Sequence, residues 1–365
     1  MKKIEYLDAL RGLAILGVIT THVTVSFPEL NPIIENIGRN GNRGVQLFFL
    51  VSAFTLMLSY EKRETFDLKG FYIRRFFRIA PAFYAAFIFY LSFNLFKYLL
   101  GMSNALNTYN LSNIIGTISF MNVLRMEWLF SLVPGGWSIS NEVMFYLLLP
   151  FIYKFIKNSK TAIILFISSV IILVPYTLLS IIEYNFKSSY YMYFFYWFPN
   201  QLPIFLLGIV LYFVSKKYKS KFKEKFNLTY ANIILYFITT LIILFASIHF
   251  ISYFTYFNHL IFGILFSIFA FVLSIYNNKI FVNKFTIFIG KISFSMYLIH
   301  FFFVEVFLTL IKKFDIFEAS SFIQFLLFWI ITLLSTILLS IISHKYIEVP
   351  GINIGRKLSN KTYKK

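Results

Sequence analysis

Most of this chain is chemically inert, so the few side chains able to move a proton or hold an anion stand out. An ionisable group costs about 2.5–3.5 kcal/mol at the centre of a bilayer on the insertion scale, and each one found inside an apolar run needs a reason. In the first such run Arg11 and His22 are 11 positions apart. On a helix that spacing returns to within about 20° of the same face and about 16 Å further along the axis. A neutral imidazole accepts a proton near neutral pH, and a hydroxyl must lose one to attack an acyl group, so His22 reads as a general base. The plainer alternative has Arg11 snorkelling to the headgroups and His22 hydrogen-bonded to a neighbouring helix.

Three other stretches carry groups of the same kind. In PGGWSISNEVMFYLLLP, Pro134, Gly135 and Gly136 mark a turn, Ser138 is placed to cap the helix that follows, and Glu142 falls near its outer end. A carboxylate there is either a solvated helix start or a group that orients His22 or binds sugar hydroxyls. In GKISFSMYLIHFF, Ser293, Tyr297 and His300 share one face, with His300 at a depth like that of His22, whereas Lys291 lies about half a turn away. These residues read either as a polar stripe facing a ligand or as interhelical glue. In RRFFRIAP, Arg74, Arg75 and Arg78 precede Pro81 at the inner mouth of a span, and the spacing of Arg75 and Arg78 lets one helical turn present both to phosphate oxygens. Alone this is an ordinary basic loop. Joined to a buried histidine it suggests nucleotide phosphates held at the cytoplasmic rim and a flexible arm reaching inward to His22. Glu305, His249, His259 and His344 fall near span ends, where exposure at the interface costs little, and are expected to be structural.

The elements that must position these groups follow from composition. With 59% hydrophobic, 21% aromatic and only 13% charged residues over 365 positions, too little polar surface exists to coat a soluble globule. About ten runs are long enough to cross the hydrocarbon core as helices, near residues 9–27, 44–60, 79–100, 138–156, 162–182, 193–214, 230–248, 255–276, 286–311 and 320–343. Pro150 in the fourth, and Pro199 with Pro203 in the sixth, suggest interrupted helices. The fold class expected is an all-α polytopic membrane bundle of about ten transmembrane helices: a membrane domain over residues 1–350, then a basic tail over 351–365. The net charge of +19 is gathered in short clusters between apolar runs, as at KKYKSKFKEK from Lys216, which speaks for topology and lipid headgroups rather than nucleic acid. With both termini inside, about 26 of the 34 Lys and Arg are cytoplasmic. The first run reads as a retained helix rather than a cleaved signal. The absence of Cys excludes disulfides, thiolate catalysis and Cys-ligated metal.

Taken in order, the motifs resemble the membrane acyltransferase family 3 over nearly the whole chain. YLDALRGLAILGVITTHV looks like the family's opening helix with its R-x10-H pattern, GVQLFFLVSAF like its second helix, and RRFFRIAPAFY like its arginine motif. WSISNEVMFYLLLP, ISFSMYLIH and YIEVPGINIGRKL look like its W-S-x-x-x-E element, its late helix and its closing E-x-P segment. One departure is Ala53, where the family usually has Gly after the Ser. The resemblance implies a stand-alone form, without a fused SGNH domain, that moves an acyl group from cytoplasmic acyl-CoA to a carbohydrate hydroxyl exposed on the far side of a bacterial plasma membrane. Acetyl-CoA is the expected donor, no metal is expected, and O-antigen, capsule or exopolysaccharide are among the acceptors implied. By position, His22 would be catalytic, with Arg11 as its partner and Glu142 beside them. Arg74, Arg75 and Arg78 would hold the donor, and Trp137, Ser138, Tyr297 and His300 would line the acceptor side. Direct attack on the thioester and a covalent acyl-histidine both remain open. The rival readings are a transporter or flippase of a lipid-linked sugar, which also fits interrupted spans with buried charges, and an acyltransferase acting on a lipid or small exported molecule.

Overall fold

Backbone N–H and C=O groups in lipid must be satisfied within the chain, and a sequence with no strand alternation does this with helices. The computed structural model describes residues 4–27, 29–61, 67–102, 106–129, 132–184, 193–248, 257–314 and 321–362, and all the regular structure among them is helical. In chain order the helices are α1 (Glu5–Thr24), α2 (Pro32–Asn40), α3 (Gly44–Glu61), α4 (Leu68–Leu99), α5 (Leu111–Ile118), α6 (Met126–Leu129) and α7 (Gly136–Phe155). They continue as α8 (Ser159–Tyr184), α9 (Phe198–Lys225), α10 (Leu228–Ser247), α11 (Asn258–Ile275), α12 (Lys284–Phe314), α13 (Ser321–Ser343) and α14 (Val349–Thr362).

Eight helical stretches among the described residues are long and apolar enough to cross a membrane, against about ten expected. The two expected spans outside that set are α7 and α8, of 20 and 26 residues. One of the two anticipated interruptions occurs: the sixth run is helical over residues 193–196, bends at Trp197 and resumes in α9, whereas the fourth is continuous. Helix α7 runs through Pro150, and α9 starts at Phe198, so that Pro199 sits in its first turn, where no amide partner is lost, and Pro203 lies inside it. The expected tail is helical instead: α14 follows a short π-helical turn over His344–Glu348 and packs along α4.

The chain divides into two compact units. The first comprises Met1–Lys62, Lys157–Ser168 and Pro203–Leu338, and the second Arg63–Ile156, Ser169–Leu202 and Leu339–Lys365. In the first unit α1 and α12 run parallel and touch backbone to backbone. A Cβ at Gly290 would fall on the Asp8 carbonyl oxygen, and one at Gly12 on that of Thr286. Helix α3 returns antiparallel against α1, with Gly44 on the Ala14 carbonyl and Thr55 level with Arg11. The Ala53 departure is accommodated from the other side: Gly208 of α9 faces Leu50 and Ala53, and its missing side chain leaves room for the Ala53 methyl. The end of α10 is tied by α2, whose Asn36 and Asn40 amides donate to the carbonyls of Ser247 and Ala246, each at 3.1 Å.

In the second unit α4 starts with Asp67 as its cap, accepting from Gly70 N at 2.8 Å. Gly351 and Gly355 let α14 lie close on Phe77 and Pro81 of α4. The connection between α4 and α7 is built around Asn122, which exchanges hydrogen bonds with Ser140 of α7 and donates to the Trp128 carbonyl.

The Gly12–Gly290 approach gives a direct test. In Gly290→Ala the new methyl meets a main-chain oxygen that cannot move aside, so the two helices must separate; overpacking of this kind costs about 1–3 kcal/mol. The variant is expected to melt earlier in detergent than the parent protein, and an unchanged midpoint would refute the contact.

Candidate functional site

The helix pair α1/α12 decides where two imidazoles meet. Ten residues separate Gly12 from His22 on α1 and ten separate Gly290 from His300 on α12, so about 15 Å beyond the backbone contact the two side chains come level. Their rings lie 5.2 Å apart between centroids, and Phe301 packs against both, at 4.2 Å from His22 and 4.1 Å from His300. His300 is fully buried and His22 half-buried. Nδ1 of His300 is 3.1 Å from the Met296 carbonyl oxygen, which can only accept, so Nδ1 carries the proton in the neutral ring and Nε2 presents a lone pair. That Nε2 is enclosed and has no hydrogen-bond partner among the described residues. Tyr297 extends the group, its ring 5.8 Å from His300 and 6.3 Å from Phe48 of α3.

Arg11 serves a different contact. Its guanidinium pairs with Asp8 at 3.0 Å, one turn earlier, and donates to Thr55 of α3 at 3.3 Å, while His22 faces His300 further along α1. Ser293 bonds back to the Gly290 carbonyl at 2.9 Å, and Lys291 and Glu305 are exposed. His259, expected at an exposed span end, is instead 1% exposed at the start of α11. His249 lies outside the described residues.

In the second unit the arginine run is not a loop. Helix α4 begins at Leu68, so Arg74, Arg75 and Arg78 sit in its second and third turns. The three point to different work. Arg74 is taken up by Ser359 of α14 and by Asp67, 3.9 Å away, and so clamps α14 to the start of α4. Arg75 faces α7, its guanidinium carbon 5.7 Å from the centre of the Tyr146 ring and 5.8 Å from that of Phe71, with Glu142 and Arg78 within electrostatic reach. Its Nε is enclosed and makes no hydrogen bond among the described residues. Tyr146 donates to Glu142, one turn earlier on α7. Glu142, Tyr146, Arg75 and Arg78 therefore form one electrostatically linked group.

Tyr146 is the residue that sequence reasoning passed over. Its signal is the four-residue spacing from Glu142, which puts both on one face of α7. Ser138 is not the cap of α7: Gly135, in the left-handed region at φ +77°, precedes the helix, and Ser138 donates back to its carbonyl at 3.0 Å. Trp137 stacks on Tyr196 at 4.4 Å. At the closing E-x-P segment, His344 lies 3.0 Å from the buried Glu348. Among the described residues no group of three His, Asp or Glu is placed to hold a metal.

The division of labour among the arginines is testable without an activity assay. Arg74→Ala should loosen α14 from α4, seen as faster hydrogen exchange across residues 349–362. Arg75→Ala should leave that segment as protected as in the parent, and equal deprotection in both would remove the distinction.

Comparisons with known proteins identify the family of the chain. The family described as the acyltransferase domain matches residues 4–345. Peptidoglycan O-acetyltransferase OatA of Listeria monocytogenes is 29% identical over 176 residues, covering 44% of this chain. The chain spans about a quarter of that relative's length, 26%. No solved structure matches. With a family match across nearly its whole length, on a helical multi-pass membrane bundle, the chain belongs to the membrane acyltransferase family 3.

Proposed function

We propose that the protein is an O-acetyltransferase that takes the acetyl group of acetyl-CoA and places it on a hydroxyl of a cell-surface carbohydrate. The observation that carries this reading is the paired imidazole of His22 and His300, one ring half-buried and the other presenting a bare Nε2. Among the described residues no hydrogen bond engages the His22 ring, which leaves its nitrogens available to a substrate. The name of the Listeria relative supports a glycan acceptor.

In this mechanism His22 accepts the proton of the attacking sugar hydroxyl as the oxygen bonds to the acyl carbon. The carbon–sulfur bond breaks, the electron pair leaves on sulfur, and protonated His22 returns the proton to the thiolate, so that ester and free thiol are the products. His300 holds the hydroxyl or the thioester by its Nε2 lone pair or its ring edge, and Tyr297 packs it in place. Arg75 and Arg78 bind the donor's phosphates. Arg75 and Arg78 lie within electrostatic reach of each other, and the enclosed Nε of Arg75, which makes no hydrogen bond among the described residues, is a donor for which a phosphate oxygen would supply the acceptor. Glu142 and Tyr146 hold Arg75 in position, and Arg11, locked by Asp8 and Thr55, fixes α1 against α3. The basic clusters support a donor side in the cytoplasm and an acceptor side outside, in a bacterial plasma membrane.

The test is to supply labelled acetyl-CoA to the cytoplasmic face of vesicles that contain endogenous glycan, and to follow base-labile label. His22→Ala is expected to lose at least about a hundredfold in rate at a normal membrane level, the usual scale for a general base. Wild-type rates in that variant would sink the assignment. Arg75→Lys should raise the apparent KM for acetyl-CoA about tenfold or more, because an ammonium cannot reproduce the guanidinium fork, and an unchanged KM would show that Arg75 has no part in donor binding.

A further inference from the structure

At the end of the first unit where α1 carries His22, the helices α3 and α11 bury a second polar group that the acyl-transfer chemistry does not use. Thr21 of α1 donates to the Gly38 carbonyl at 2.8 Å and Gly17 lies against Gly41, so the turn leading into α3 sits at the His22 end of α1. From that turn and the first turn of α3 come Asn42, Arg43 and Gln46; from the first turn of α11 come Asn258 and His259. Arg43 is 7% exposed, Gln46 1%, Asn258 3% and His259 1%. The Arg43 guanidinium carbon stands 6.0 Å from the centre of the Phe262 ring, one turn along α11 from Asn258 and His259, which brings the two sets together. Phe48, two residues beyond Gln46, touches Tyr297, and Tyr297 touches His300. The group therefore continues through two aromatic rings to the imidazole pair.

Two of its acceptor atoms, Oδ1 of Asn42 and Oδ1 of Asn258, are enclosed and receive no hydrogen bond among the described residues. A buried acceptor left without a donor is costly, and such an atom in a native structure calls for a missing partner. A cluster that mixes bare carbonyl acceptors with guanidinium, amide and imidazole donors, over an aromatic face, matches a molecule that is donor and acceptor at once. Hydroxyl groups are both. We propose that Asn42, Arg43, Gln46, Asn258 and His259 form the acceptor-sugar subsite, taking the hydroxyls that flank the one His22 deprotonates. This rests on the carbohydrate O-acetyltransferase reading above. Specificity for a polyol follows directly, because an acceptor lacking those hydroxyls leaves the two Oδ1 atoms unpaired.

The experiment uses the purified full chain in lipid nanodiscs, with chitotetraose as a hydroxyl-rich probe and acetyl-CoA as donor. Asn258→Leu and Gln46→Leu are compared with the parent protein. At Asn258, whose Oδ1 has no partner among the described residues, an apolar group of similar size is neutral or stabilising for the fold. The subsite adds that Asn258→Leu, with its melting temperature kept or raised, shows a KM for chitotetraose about tenfold higher while that for acetyl-CoA stays within about twofold. An unchanged acceptor KM in a folded Asn258→Leu overturns the proposal and leaves an ordered water as the missing donor. Gln46→Leu, on the other helix, guards against a local fault at α11, and an unchanged acceptor KM there removes α3 from the subsite. Should the parent protein transfer no acetyl to the probe, the transferase reading is in question, and the subsite is judged by binding. Chitotetraose that stabilises the parent but not Asn258→Leu against heat supports the subsite, and no stabilisation of either overturns it.

Discussion

The backbone contact between α1 and α12 is the constraint on which the first unit depends. Helix association in lipid has little hydrophobic drive, so it rests on close van der Waals packing and on the few hydrogen bonds available. Gly12 and Gly290 bring the two backbones into contact, and because the helices are parallel, equal spacing along both helices carries the register to His22 and His300. The same logic extends outward through small residues: Gly44 sets α3 on α1, and Gly208 sets α9 on α3. Polar side chains then finish the joints, as Trp329 of α13 does by donating to Thr20 at 2.9 Å.

Charge is handled in the second unit by dividing neighbouring residues among unlike tasks. Arg74 and Arg75 are adjacent in sequence and about 100° apart around α4, so one turns to Asp67 and α14 and the other to α7. A guanidinium enclosed without compensation would be strongly destabilising. Glu142 supplies one negative charge, Tyr146 bridges it with a hydrogen bond, and two aromatic faces line Arg75.

Much of this protein was legible in the order of its residues. Apolar runs of the length of a bilayer pointed to an all-helical membrane fold, because only helices and closed barrels satisfy their own hydrogen bonds there and the runs lack the alternation of a barrel. The rarity of ionisable groups inside those runs singled out Arg11, His22, Glu142, His300 and the arginine triplet, since residues that costly are seldom retained without use. Prolines misled, because Pro150 and Pro203 are carried within continuous helices, where neighbouring groups re-satisfy the freed carbonyls. The arginines misled in another way: hydropathy starts a span only where charge stops, whereas α4 begins 11 residues before that, at Leu68 rather than residue 79.

Periodicity places a residue on a face of its own helix, and there its information ends. It put Arg11 and His22 on one side of α1 but could not say that the first turns to Asp8 and Thr55 while the second meets an imidazole nearly three hundred positions away. Nor could it find Tyr146 beside Arg75, or bury Arg43, Gln46 and His259 together at the ends of two helices. Those meetings depend on which helices are neighbours and at what register. That is set by where backbones can approach, at Gly12, Gly44, Gly208 and Gly290, a property of pairs of surfaces that no single stretch of sequence contains.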